Sequence, residues 1–166
     1  PQGDITVFVH ATNAEQIFKI AHEVYTATKR FAFLDISSFK DSELSPEFLE
    51  TLGNICLFVP EVTNLTARQS HAIEHYLLNR RVDPNEGVLI VCGSIHNSAE
   101  LIRSLNLSLD FYQLVSQVRL SHLDATLSHD QLALYAETVT KAHRDLMMLA
   151  LISQLGITSL GVDNPN

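Results

Sequence analysis

Three short runs in this chain are almost wholly apolar: Ile5–Val9 (ITVFV), the ICLFV of Asn54–Val59, and Val88–Cys92 (VLIVC). A strand with one wet face alternates apolar and polar residues, so runs without alternation read as strands covered on both faces. Phe31–Ile36 and Gln117–Leu120 read as two further strands. Between them lie segments of helical spacing. Asn13–Arg30 places Ile17, Ile20, Ala21, Val24 and Tyr25 on one side, and Thr12 or Asn13 supplies an N-cap. Ser45–Leu52 begins Ser-Pro, a cap followed by a first-turn proline. Thr66–Asn79, Ser98–Leu105 and Leu109–Val115 are further helices, and Arg80–Gly87 is a turn. Strands apolar on both faces, each separated by helix, predict an α/β fold: a three-layer parallel sheet with helices on both faces.

The C-terminal part reads differently. Ser128–Gln154 has helical composition without proline or glycine, Gly156 stops it, and Gly161–Asn166 reads as a frayed tail. The expected division is an α/β domain over 1–125 and a helical C-terminal segment over 126–166. The apolar Leu146–Leu155 stretch within that segment either closes the core or offers a self-association surface.

Charge and composition narrow the function classes. The 166 residues carry 19 acidic against 11 basic side chains, a formal net charge of −8. An acidic chain is ill suited to wrapping a nucleic-acid backbone, which needs a basic face. No apolar run approaches the roughly 18–20 residues of a membrane span. Pro1–Asp4 lack the charged start of a secretory leader. Cys56 and Cys92 both sit within apolar runs and read as structural thiols, which favours a cytoplasmic setting.

Ligands of such a sheet bind beyond the carboxyl ends of the strands, so the first strand-to-helix turn is the place for a phosphate loop. It reads His10-Ala-Thr-Asn13-Ala-Glu15-Gln16-Ile17. A P-loop needs glycines that let backbone amides wrap phosphate, then lysine and a hydroxyl residue. This turn has no glycine and no lysine, and it has Glu15 where an anion would sit. At the end of the central strand, Pro60 stands where a nucleotide hydrolase carries its metal-binding aspartate. Glu61 follows it, and reads by itself as a solvated or capping glutamate. His71 and His75 share a helix face, but without the glutamate of an HExxH site they read as a surface pair, and no metal is expected. Ser94 and His96 read as strand end and helix cap rather than as a catalytic dyad. No catalytic residue and no cofactor are expected.

The ordered set of motifs resembles the central domain of the bacterial enhancer-binding proteins, the AAA+ activators of sigma-54 RNA polymerase. Gly53, Leu57, Phe58, Glu61, Leu65, Gln69, Ile73 and Leu77 are similar to that family's Walker B strand and following helix. Leu109–Leu123 is similar to its "FREDLYYRLNVVRIxLPPL" segment, Ala21–Phe33 to its "AIHxxSxRxxxPFV" segment, and Val88–Ser94 to its sensor I strand. The resemblance spans about residues 5–140 and implies a P-loop NTPase fold, the AAA+ large subdomain, followed by a reduced or truncated helical lid. Laid on that pattern, the Walker A lysine falls at Gln16 and the Walker B aspartate at Pro60. The sensor I asparagine falls at Ser94 or Asn97, and the arginine fingers fall at Ser108 and Leu114. Ser38–Leu52 is too short for the loop that touches the sigma factor.

The resemblance therefore implies a degenerate module with a vestigial nucleotide site at His10, Asn13, Glu15, Gln16, Pro60, Glu61 and Ser94. It would neither hydrolyse ATP nor remodel sigma-54 polymerase. Its role would be oligomerisation or signal coupling in a transcription regulator, through self-association or another regulatory protein, with DNA bound only by a separate domain. Two other readings stay open. One is an effector-binding domain for a small nucleotide second messenger in the crevice around His10–Gln16; the other is a protein-interaction scaffold unrelated to transcription.

Overall fold

The computed structural model describes residues 6–80, 87–122 and 157–162. Strand β1 (Val7–His10) leads into helix α1 (Ala14–Ala27), and β2 (Phe33–Asp35) into a 3-10 turn over Ile36–Ser38. A second 3-10 turn, Asp41–Glu43, precedes α2 (Pro46–Leu52). Then come β3 (Cys56–Val59), a 3-10 turn at Val62–Asn64, and α3 (Ala67–Asn79). Strand β4 (Leu89–Ser94), α4 (Ser98–Arg103), α5 (Leu109–Val115), β5 (Val118–His122) and β6 (Ile157–Val162) complete the described order.

The sheet runs β2-β3-β4-β1-β5-β6. The first five strands in this order run parallel to one another, with Val7 paired to Val91 on one side and Val118 on the other. The α/β class read from the apolar runs is thus observed. Burial explains it: β1, β3 and β4 are buried at every position. On one face Val7, Val9, Phe58 and Val91 pack against the Ile17, Ile20, Ala21 and Val24 stripe of α1. On the other, Phe8, Leu57, Val59 and Ile90 meet Leu49 of α2, Ile73 and Tyr76 of α3, Leu101 of α4 and Phe111 of α5.

Local chemistry sets the helix starts. Asn13, Ser45, Asn97 and Ser108 each accept a backbone amide of the first turn, and Thr66 with Gln69 forms a reciprocal capping box. Each satisfies donors that a helix start leaves unpaired. At the opposite end of the sheet, buried Arg30 ties Asn54 Oδ1 (2.8 Å) to the Gly87 carbonyl (2.7 Å).

The C-terminal reading needs correction. Ile157–Val162 is an edge strand, antiparallel to β5, with a register irregularity at Arg119/Leu120. Gly161 therefore belongs to the sheet and not to a frayed tail. Ladder hydrogen bonds to β5 hold a sequence whose own pattern is weak. The expected helix at Ser128–Gln154, with its apolar Leu146–Leu155 stretch, lies outside the described residues. No helix among the described residues is long and apolar enough to cross a membrane.

Candidate functional site

Because β4 lies between β3 and β1, the ends of all three strands meet at one edge of the sheet. His10 closes β1, Pro60 and Glu61 follow β3, and Ser94 closes β4. These are the segments likened above to Walker A, Walker B and sensor I, and the strand order alone makes them neighbours.

Glu61 is the most heavily bonded side chain of this edge. Its Oε2 accepts from Ser94 Oγ at 2.7 Å, from Thr63 Oγ1 at 3.0 Å and from the Thr63 amide at 3.2 Å. Its Oε1 accepts from the Ile95 amide at 2.9 Å. Those four donors make it the cap of the Val62–Asn64 turn and a staple between β3 and β4, the capping role read from the sequence. Ser94 Oγ, already donating to Glu61, accepts from the His96 amide at 3.0 Å, while the His96 ring faces Glu100 at 3.2 Å. The Ser94 hydroxyl and the His96 ring thus face two different carboxylates, Glu61 and Glu100.

The turn after β1 is closed by its own side chains. Asn13 Oδ1 accepts the Gln16 amide at 2.9 Å, and Gln16 Oε1 accepts from Thr12 Oγ1 at 2.8 Å and from the Thr12 amide at 3.3 Å. Glu15 points to solvent. Beneath the turn Ile17 packs against Gly93 so closely that a Cβ there would lie 2.3 Å from Ile17 Cγ2 and 3.0 Å from the Pro60 carbonyl. The Thr12 and Gln16 amides are thus engaged within the turn, and an isoleucine fills the space beneath it.

His10 is buried and bonded at both ring nitrogens. Nδ1 faces the His96 carbonyl at 2.9 Å, so it carries the hydrogen and donates; Nε2, 3.1 Å from Tyr112 Oη, accepts from the phenol. The ring also packs on Phe8, 4.7 Å between centroids. Burial holds its pKa below the ordinary histidine value, against the His96 hydrogen bond, which raises it. The Arg119 charge lowers it further and the Glu61 charge raises it.

The remaining sequence candidates are structural or exposed. Asn97 caps α4 and Ser108 caps α5, while Leu114 is half-buried against the core. His71 and His75 lie side by side on an exposed helix face, their rings tilted with centroids 4.1 Å apart, and no cluster of three metal-ligating side chains occurs among the described residues. Cys56 and Cys92 are buried free thiols on adjacent strands, Cys56 toward α1 and Cys92 toward the opposite layer. Tyr112, Ile17 and Gly93 went unnoticed as parts of this edge. Tyr112 lies 102 residues from His10, and no local spacing announces such a contact.

Comparison with protein-family models and with curated proteins gives no match.

Proposed function

We propose that this chain is a non-catalytic, AAA+-like module of a bacterial transcription regulator, of P-loop NTPase fold, serving self-association or the coupling of a signal to another regulatory protein. The observation that carries this reading is the self-bonded strand edge. The segments likened to Walker A, Walker B and sensor I lie side by side, and their polar groups are spent on one another. Glu61 has four donors from its own chain, and Gln16 folds back on Thr12.

Support for association comes from exposed aromatic side chains. Phe18 is 50% exposed and Phe31 81% exposed. Phe18 stacks on His22 and meets Phe33 of β2 edge-on, 5.7 Å between centroids. Exposed aromatic surface beside the outermost described parallel strand suits a protein partner.

Sedimentation across concentrations, with and without Mg-ATP, tests the reading alongside a phosphate-release assay. The expected result is concentration-dependent association that ignores Mg-ATP, with no phosphate release above blank. A chain that assembles only with Mg-ATP, or one that turns ATP over, overturns the reading, and one that stays monomeric throughout overturns self-association as its role.

A further inference from the structure

Helix α3 carries a pair of nitrogen ligands that the fold itself does not use. Its capping box and the buried Ala72, Ile73, Tyr76 and Leu77 fix the helix against the core. That anchorage leaves His71 and His75, four residues apart on one face, both exposed. Their rings lie 4.1 Å apart between centroids, at 37° to one another. Neither ring has a hydrogen-bond or ion-pair partner among the described residues.

The polar neighbours along the helix are engaged elsewhere. Asn79 Nδ2 donates to the His75 carbonyl at 3.0 Å. Arg68 donates to the Leu44 carbonyl at 3.0 Å and to the Ser42 carbonyl at 3.2 Å, so its charge is tied to the segment before α2. Glu74 lines a separate groove beside Leu107 and Phe111. The two imidazoles are left with each other.

We propose that His71 and His75 together chelate one late first-row divalent cation, Cu(II), Ni(II) or Zn(II), reversibly on the outer face of α3, with water at its other positions. Imidazole suits these ions, whereas Mg(II) prefers oxygen. A metal about 2.0–2.1 Å from each nitrogen fits between rings this close after a small side-chain rotation. Because one packed helix carries both rings, the second binds intramolecularly and loses little freedom. Ala72 after His71 rules out an HExxH site, but chelation needs only the pair. Two protein ligands fall short of the closed sites that hold a resident metal, so the bound ion exchanges. The proposal is independent of the AAA+ reading, because neither histidine belongs to the sealed strand edge.

Isothermal titration of the 166-residue chain in a buffer that does not bind metals tests it, with Cu(II), Ni(II), Zn(II) and Mg(II) chlorides as separate probes. Cu(II) should bind more tightly than Ni(II) or Zn(II), and Mg(II) should give no heat. His71→Ala and His75→Ala, at exposed helix positions where alanine is favourable, should each weaken Ni(II) by at least about tenfold, since either leaves a single imidazole. His22→Ala, at an exposed α1 histidine that rests against Phe18 and Tyr25, should leave Ni(II) binding unchanged. No heat from Cu(II), Ni(II) or Zn(II) overturns the assignment. So does a loss of only about twofold in the α3 variants, as two independent imidazoles would give, or an equal loss in His22→Ala.

Discussion

Ser94 Oγ donates to Glu61 Oε2 at 2.7 Å, joining the end of one central strand to the residue that leaves the next. The serine is fully buried and the glutamate half-buried, so the pair is partly shielded from water. A carboxylate in this position is employed as an acceptor for four donors of its own chain. Its role follows from how many of those donors lose a partner when it goes.

Glu61→Ala strips the acceptor from the Ser94 hydroxyl, the Ile95 amide and both Thr63 donors. Leaving buried donors unpaired costs about 1–3 kcal/mol, with solvent satisfying the exposed ones. Urea unfolding should show a loss of that size for Ala and a smaller one for Gln, which keeps one acceptor oxygen. A Glu61→Ala chain as stable as the parent would contradict the staple and return Glu61 to the role of a free side chain.

Stability should also fall on acidification through His10. Its folded pKa is lowered, chiefly by burial, from the ordinary 6.5. Below that value the unfolded chain binds a proton that the folded ring refuses, so unfolding is favoured as pH drops until the folded ring also protonates. A single proton limits the slope to about 1.4 kcal/mol per pH unit. Protonation would moreover oblige the Tyr112 hydroxyl to stop donating to Nε2. Urea midpoints at pH 7.5 and 5.5 should differ less for His10→Gln than for the parent; equal differences would place the acid sensitivity elsewhere.

The sequence made the central strands legible because β1, β3 and β4 are buried on both faces and therefore lack alternation. Asn13, one of two caps offered with Thr12, and Ser45 were readable because capping is local. Strand order was not readable: that β4 inserts between β3 and β1 depends on side chains distant in sequence, and the whole strand edge depends on that order. β6 escaped because the sequence ITSLGV, with a glycine inside it, shows neither an unbroken apolar run nor a strict alternation. The Glu61 staple was half visible, its capping of Thr63 local and its hold on Ser94 33 residues away.

The two thiols should be silent in the folded chain. Burial pushes the Cys56 thiol up to about 12 and raises Cys92 as well. Since the thiolate is the nucleophile, both lose reactivity as well as access. A chromogenic disulfide reagent at pH 8 should react at least about a hundredfold more slowly than with free cysteine, and should titrate both thiols once guanidinium unfolds the chain. Rapid reaction of either thiol under native conditions would contradict its burial.

Gly93 and Ile17 give the sharpest test of the closed turn. A Cβ at 93 would lie 2.3 Å from Ile17 Cγ2 and 3.0 Å from the Pro60 carbonyl, so Gly93→Ala forces the α1 side chain away from β4. Overpacking of this kind costs about 1–3 kcal/mol. Ile17→Ala alone opens a cavity in the α1 layer and costs about 2–5 kcal/mol. Together the changes should cost less than their sum by about 0.5–3 kcal/mol, because the new methyl enters the space that isoleucine vacates. The recovery stays partial, since the Pro60 carbonyl remains close. Strict additivity in a four-member unfolding cycle would mean that Ile17 does not fill the gap beside Gly93, and the turn would then have room for a ligand after all.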